Sequence, residues 1–432
     1  MTSEVYDSEA AAQNEGDNGP VGRAPSRPTA AHEMSRRLVL LFALACGLSV
    51  ANIYFALPLL DAMAREFSIS PAAIGMVVTA TQIGYAAGLI FIVPLGDLLD
   101  RRRLIVGQAA LSALALVVVG LAPTGLVLLA GMIVVGLLAV VVQVLVAFAA
   151  TLAAPAERGR VVGAVTSGIV IGILLARFVS GVLADLGGWR SVYLCSAALM
   201  LMLAGLLLRT LPRRPRSATA PSYLELLRSM VALFREEPIL RTRAVLAFLI
   251  FASFNILWAP LALPLSAPPF SLSHSAIGLF GLAGVAGALA AGRAGHLADR
   301  GLGQWTTGLS LGLMLAAWLP IALMGVSLWA LVLGVIMLDL AIQAVHVTNQ
   351  SLIFAVRPEA RSRLVGGYMV FYSIGSAGGA ILSTSVYAVA GWLGVCGLGA
   401  AIGVTALLFW AATLRPARMA PAGIGLVERP GE

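Results

Sequence analysis

The sequence predicts an all-α integral membrane protein whose twelve transmembrane helices form two six-helix bundles related by a repeat. Three observations carry that prediction. Apolar residues make up 59% of the chain and charged ones 11%, more apolar surface than a water-soluble fold of this length can bury, whereas lipid solvates it. The apolar residues gather in about twelve runs, each near the ~20 residues that cross a bilayer. Finally, a pattern of helix ends and glycines occurs twice. Pro155, Arg158, Arg160, Gly163, Gly172, Gly188 and Trp189 return as Pro358, Arg361, Arg363, Gly366, Gly375, Gly391 and Trp392, each 203 residues on, and Asn52-Ile53 returns as Asn255-Ile256 at the same offset.

The runs lie at roughly 37–60, 73–95, 103–121, 125–149, 160–184, 190–208, 242–264, 273–296, 305–324, 328–354, 363–387 and 391–413. Six of them make a first bundle over residues 36–210 and six a second over 242–414, joined by a linker at 211–241. Pro58 and Pro260 break the backbone ladder of spans one and seven and favour kinks there. Span five carries Gly163, Gly168, Gly172 and Gly181, with Ala176 continuing the beat. Span eleven carries Gly375, Gly378 and Gly379. Small residues so spaced make flat faces for close helix packing. The linker holds Pro212, Pro215, Pro221 and Pro238 with Glu225, Glu236 and Glu237. Its stretch Tyr223–Phe234 is patterned as a short amphipathic helix for the membrane surface. Residues 1–35 and 415–432 read as polar tails without a cleavable signal peptide.

Charge sets the orientation. All 28 basic residues are Arg, and they cluster before span one, in the linker and in alternate loops. The positive-inside rule then places both termini and the linker in the cytoplasm, for a multi-pass protein of the inner (plasma) membrane. Arginines scattered over short loops do not form the basic face that a nucleic acid needs. Cys46, Cys195 and Cys396 lie inside spans, with neither CxxC nor His spacing, so no disulfide, metal or cofactor is expected. Neither a Walker loop nor a nucleophile elbow occurs, which argues against an enzyme or an ATP-driven pump. A monomer in the lipid bilayer is the expectation.

Ionisable groups inside a bilayer are costly and need a reason. Arg177 lies deep in span five and Asp339 near the middle of span ten. Asp339, Gln343, His346 and Gln350 fall at i, i+4, i+7 and i+11, a stripe about 60° wide. Such a stripe fits either the wall of a hydrated cavity or a polar contact between helices. Asn52 and Tyr54 in span one, Gln82 in span two, Gln143 in span four, and Asn255 and Trp258 in span seven are further candidates for binding a small-molecule substrate. Gln143 and His346 are again 203 apart.

The loop between spans two and three reads Gly96-Asp97-Leu98-Leu99-Asp100-Arg101-Arg102-Arg103. It resembles the Gly-x-x-x-Asp-Arg-x-Gly-Arg-Arg signature of the major facilitator superfamily, and Gly295-His296-Leu297-Ala298-Asp299-Arg300-Gly301 echoes it between spans eight and nine. With the repeat, the resemblance covers roughly residues 36–414, and it points to the twelve-span branch that includes drug:proton antiporters. Arg103 stands where the signature has its second glycine, and Ala176-Arg177 stands where that branch has Gly-Pro. The resemblance implies rocking of two bundles about a central site, lined by spans one, four, seven and ten. Gly96, Asp100, Arg101, Gly295, Asp299 and Arg300 would then gate it, the aspartates making charge contacts in one conformation and breaking them in the other.

The expected function is proton-coupled export of small, partly hydrophobic organic compounds. Asp339 is the expected proton carrier with Arg177 as its partner, and Asp61, near the outer end of span one, is the second acidic candidate. Arg177 lies roughly 10 Å and Asp339 roughly 16 Å below the outer ends of their spans, a gap that a snorkelling arginine covers. The sequence leaves two alternatives: import or facilitated passage of a small metabolite anion held by Arg177, and a membrane sensor that binds a ligand without moving it.

Overall fold

A computed structural model describes residues 35–154, 157–212, 222–285, 293–294, 296–357 and 361–414. Residues 1–34 of the tail expected at 1–35, the tail at 415–432, the start of the linker and Gly295 lie outside the described residues.

Twelve spans can be traced in the described residues. Nine described helices are long and apolar enough to cross a membrane, and the last of them, Arg363–Thr413, is two spans merged across Gly391, where φ reaches 62°. The shorter apolar helices Met76–Phe91 and His274–Gly284 supply spans two and eight. The remaining spans are Arg36–Phe67, Arg101–Gly120, Gly125–Leu152, Arg158–Gly187, Trp189–Thr210, Pro238–Ser266, Arg300–Gly325 and Leu328–Phe354. The expected kink of span one is visible: its helix breaks after Tyr54 into a short 3-10 turn at Leu57–Leu59 that contains Pro58, then resumes.

The repeat is legible in the packing. Span one crosses span five where a Cβ at Gly172 would overlap the carbonyl of Gly47, and span seven crosses span eleven where one at Gly375 would overlap that of Phe248. Equivalent glycines thus hold equivalent crossings in the two bundles, because only a hydrogen lets the backbones come that close. Gly163, further along span five, has nothing within 4 Å of its Cβ position. Gly172→Val is therefore expected to cost about 1–3 kcal/mol, read as a lower melting temperature, while Gly163→Val leaves it unchanged.

The linker carries a helix, Tyr223–Glu236, opened by a capping box between Ser222 and Glu225. Phe234 stacks on Phe371 of span eleven with ring centres 5.4 Å apart. Its far end is held by Arg357, which lies 2.6 Å from Glu237 and 3.0 Å from Glu236. Tyr223 donates to the carbonyl of Phe91 at the end of span two, 2.9 Å away. One helix therefore touches both bundles at the arginine-rich end.

Direct hydrogen bonds between the bundles, among the described residues, run from mid-membrane to the opposite end. The Tyr54 and Tyr372 hydroxyls meet at 2.7 Å, and Thr79 donates to Ala377 O at 2.8 Å. Thr384 and Ser385 donate to Ala72 O at 3.1 and 3.3 Å. The bundles are sealed at the end away from the arginine loops.

Candidate functional site

At mid-depth, spans five, seven, eight and ten converge on two buried charges. Arg177 is 3% exposed and Asp339 5%. Between them stands Trp258 of span seven. Its indole N–H donates to Asp339 Oδ1 at 3.3 Å, and its ring face lies 3.7 Å from the Arg177 guanidinium carbon. Phe254 at 5.1 Å and Tyr54 at 5.6 Å complete an aromatic cage around that guanidinium. Cation–π contact with three desolvated rings is a reason for Arg to sit at this depth.

Span eight makes the room. A Cβ on Gly281 would lie 2.9 Å from Arg177 Cδ, and one on Gly284 would lie 3.0 Å from Asp339 Oδ2. Two glycines one helical turn apart thus accept one charge each. Arg177 and Asp339 do not form an ion pair among the described contacts. The Nε and Nη2 of Arg177 have no hydrogen-bond acceptor. A void of about 10 Å³ bounded by Arg177, Trp258, Leu57, Pro58 and Ile277 adjoins the guanidinium, near the lower limit for a single water.

Tyr372 links this cage to a second polar group. Its ring packs 4.0 Å from Phe251 and 6.4 Å from Tyr85, and Tyr85 OH accepts from Gln143 Nε2 at 3.4 Å. Tyr54 of span one thus meets the second bundle directly, and Gln143 of span four touches Tyr85, whose ring faces Tyr372. Gln82 is buried, with its Oε1 unpartnered.

The stripe on span ten divides. Asp339 turns to Trp258, whereas His346 bonds Tyr368 OH of span eleven at 2.9 Å and Gln350 Nε2 at 3.3 Å. Gln343 is half-buried between the two groups. Asn349 joins the lower group, donating to Tyr368 OH at 3.5 Å and accepting from Arg243 Nη1 at 3.3 Å. Arg243, near the start of span seven, is 4% exposed and also bonds Thr307 at 3.3 Å. This half of the stripe makes polar contacts within one bundle. Asn52 behaves similarly: its Oδ1 accepts from Ser196 of span six at 2.7 Å, inside the first bundle. Asn255 is 3% exposed, and its carbonyl accepts from Ser383 at 3.5 Å.

In the signature loop, Asp100 caps span three, accepting from the backbone N–H of Arg102 at 2.8 Å and Arg103 at 3.2 Å. Arg101 donates to Gly96 O at 2.9 Å and to Ala147 O at 3.2 Å, tying the loop to span four. The partners named lie in the first bundle, at the arginine-rich end. Asp100→Ala should cost about 1 kcal/mol through loss of the cap, a small drop in melting temperature that Asp100→Asn should largely spare. In the second copy, Arg300 is exposed; the side chain of Asp299, like Gly295, lies outside what is described.

Trp258→Phe isolates one interaction. The ring over Arg177 stays while the donor to Asp339 is lost, so a destabilisation of about 1.5–3 kcal/mol is expected, measured as thermal unfolding of the purified protein. A change no larger than that of Phe254→Leu would show that the indole hydrogen bond carries nothing.

Comparison with known proteins agrees with this architecture. The family model described as Major Facilitator Superfamily matches residues 39–307. The uncharacterized transporter YgaY of Escherichia coli O157:H7 is 48% identical over 379 residues, covering 88% of this chain and 96% of that one. Among solved structures, a bacterial homologue of the human lysosomal transporter Spinster superposes with a TM-score of 0.70 at 17% identity, covering 87% of this chain and 94% of the other. A point mutant of the nucleoside transporter NupG gives a TM-score of 0.67 at 16% identity, covering 87% and 100%.

Proposed function

Because the chain belongs to the major facilitator superfamily and is a transporter of that kind, we propose that it exports small, partly hydrophobic organic compounds in exchange for protons. The carrying observation is Asp339: among the described residues it is the one acidic side chain at mid-depth, it sits where the bundles meet, and a single indole N–H holds it. A proton arriving there cancels the charge that faces Arg177 and weakens the Trp258 hydrogen bond. The balance between the two bundle arrangements then shifts, as a difference in proton affinity between conformations requires.

The cage of Tyr54, Phe254 and Trp258 already contains a cation, and the surrounding surface is aromatic with a few amides and hydroxyls. Neutral or weakly cationic compounds with apolar bodies suit it better than sugars, which need more convergent polar groups. The arginine-rich end is assigned to the cytoplasm of the inner membrane on loop charge. In that orientation the sealed end faces outside, and Asp100, Arg101 and their second-bundle counterparts Asp299 and Arg300 await the outward-facing state. Asp100→Asn should then leave the cytoplasmic end more open, seen as faster labelling of cysteines placed at the cytoplasmic ends of spans four and ten. Unchanged labelling with normal transport would leave that loop a topology role alone.

One observation favours a second reading. Two guanidinium nitrogens of Arg177 lack acceptors, so a carboxylate-bearing metabolite could take them, with movement inward or uncoupled. A thermal-shift panel on the purified protein separates the readings. A ligand at 100 times its Kd stabilises by about 2.7 kcal/mol. Stabilisation confined to organic anions, and lost in Arg177→Gln, would overturn export of neutral or cationic compounds.

A further inference from the structure

The sealed end carries a titratable cluster that the central site does not use. His274 heads span eight of the second bundle, and its ring lies between two carboxylates of the first. Nδ1 is 3.0 Å from Asp185 Oδ1 at the end of span five. Nε2 is 3.3 Å from Asp61 Oδ1 at the end of span one. Asp185 also accepts the backbone N–H groups of His274 at 3.1 Å and Ser275 at 2.8 Å, so the contact is built into the start of span eight. Asp61 is 4% exposed, with Arg65 at 2.9 Å from its other oxygen. The backbones touch as well: a Cβ at Gly181 of span five would overlap the carbonyl of His274. The side chains of His274 and Asp185 are 22% and 28% exposed, so protons reach them without crossing the protein.

We propose that His274, Asp61 and Asp185 form a proton-operated latch that holds the outer end of the transporter closed. A neutral imidazole carries one N–H and one lone pair, so with two carboxylates facing its two nitrogens one contact is repulsive. A charged imidazolium carries an N–H on each nitrogen and is attracted to both carboxylates. The ring therefore binds its proton more tightly when the bundles are together at this end, and by linkage an acidic exterior closes the latch while an alkaline one loosens it. One proton changes the closed-to-open ratio by at most about tenfold per pH unit. Histidine is the side chain whose ordinary titration falls between pH 5 and 8. The charged groups that contact the ring or its carboxylate partners are Asp61 and Arg65 of span one and Asp185 of span five. The stretch from Ala259 to Leu272 that precedes His274 contains no titratable residue, and Glu66 is paired with Arg190 at 2.6 Å. In exchange with external protons, such a latch commits the carrier to the inward-facing state only after outside protons have arrived.

The latch rests on the orientation given under the proposed function but not on Asp339 as proton carrier. Its test is made in the full chain with Asp339→Asn, so that any remaining pH response belongs elsewhere. The three native cysteines are replaced by alanine, and spin labels are placed on cysteines introduced at the exposed positions Ser70 and Ala388, one on the outer end of each bundle. In bilayer nanodiscs, pulsed dipolar distances from pH 8 to 5.5 should move from a long to a short population as pH falls. His274→Gln should flatten that curve, and Asp185→Asn, which keeps an oxygen acceptor for the helix start, should make it shallower. His274→Arg should stay short throughout. A His274→Gln chain with an unchanged curve, or a His274 chain with no response to pH, overturns the proposal.

Discussion

Asp339→Asn is expected to abolish proton-driven transport while leaving ligand-induced stabilisation in place, from a lower starting melting temperature because Arg177 loses the charge it faces. Asparagine keeps an oxygen to accept the Trp258 indole N–H, and it fits the space beside Gly284 that the carboxylate occupies. It cannot exchange a proton. Everted vesicles bearing the variant should therefore accumulate no more of a panel compound with an imposed pH gradient than without one. The same compound should still raise the melting temperature of the purified variant. Wild-type coupling in Asp339→Asn would remove this residue from the mechanism and leave Asp61, held at the outer end by Arg65 and His274, as the other buried carboxylate among the described residues.

The second large effect concerns stability. Removing either central charge alone leaves the other desolvated, and stranding a buried charge costs about 3–5 kcal/mol. Arg177→Ala empties the aromatic cage and exposes Asp339 to an uncompensated environment. Asp339→Ala leaves Arg177 with the rings alone. The double variant strands neither, so its loss should fall short of the sum by about 1–3 kcal/mol. Folded yield and melting temperature of the four proteins provide the cycle. Additive losses would show that the two charges do not influence each other through Trp258, and would favour an anion-holding role for Arg177.

The fold was readable because its determinants are local or periodic. Span length is set by bilayer thickness, and the glycine crossings repeat with the chain, so Gly172 and Gly375 announced equivalent contacts before any neighbour was known. Arg177 and Asp339 stood out because a charge inside an apolar run has few explanations. Their arrangement was not readable. Depth along two helices suggested a direct ion pair, whereas the structure interposes the Trp258 ring, and the space for both charges comes from Gly281 and Gly284 on a third helix. The stripe on span ten divides for a related reason. One helix face some 40 Å long meets different neighbours along its length, so Asp339 faces the other bundle while His346 and Gln350 face Tyr368. Asn52 shows the same limit, since Ser196 lies 144 residues away. Of the His274 cluster only Asp61 stood out in the sequence: its members lie at the ends of three helices, and only folding makes Asp61, Asp185 and His274 neighbours.

The central claim is that inward proton movement through Asp339 drives outward movement of an organic compound. Its most direct measurement uses everted vesicles with an acidic interior, a pH-sensitive dye and a compound chosen by thermal shift. Adding that compound should dissipate the pH gradient and load the vesicles in wild type, and should do neither in Asp339→Asn. Loading that proceeds without dissipating the gradient, or binding with no flux in either direction, would contradict it.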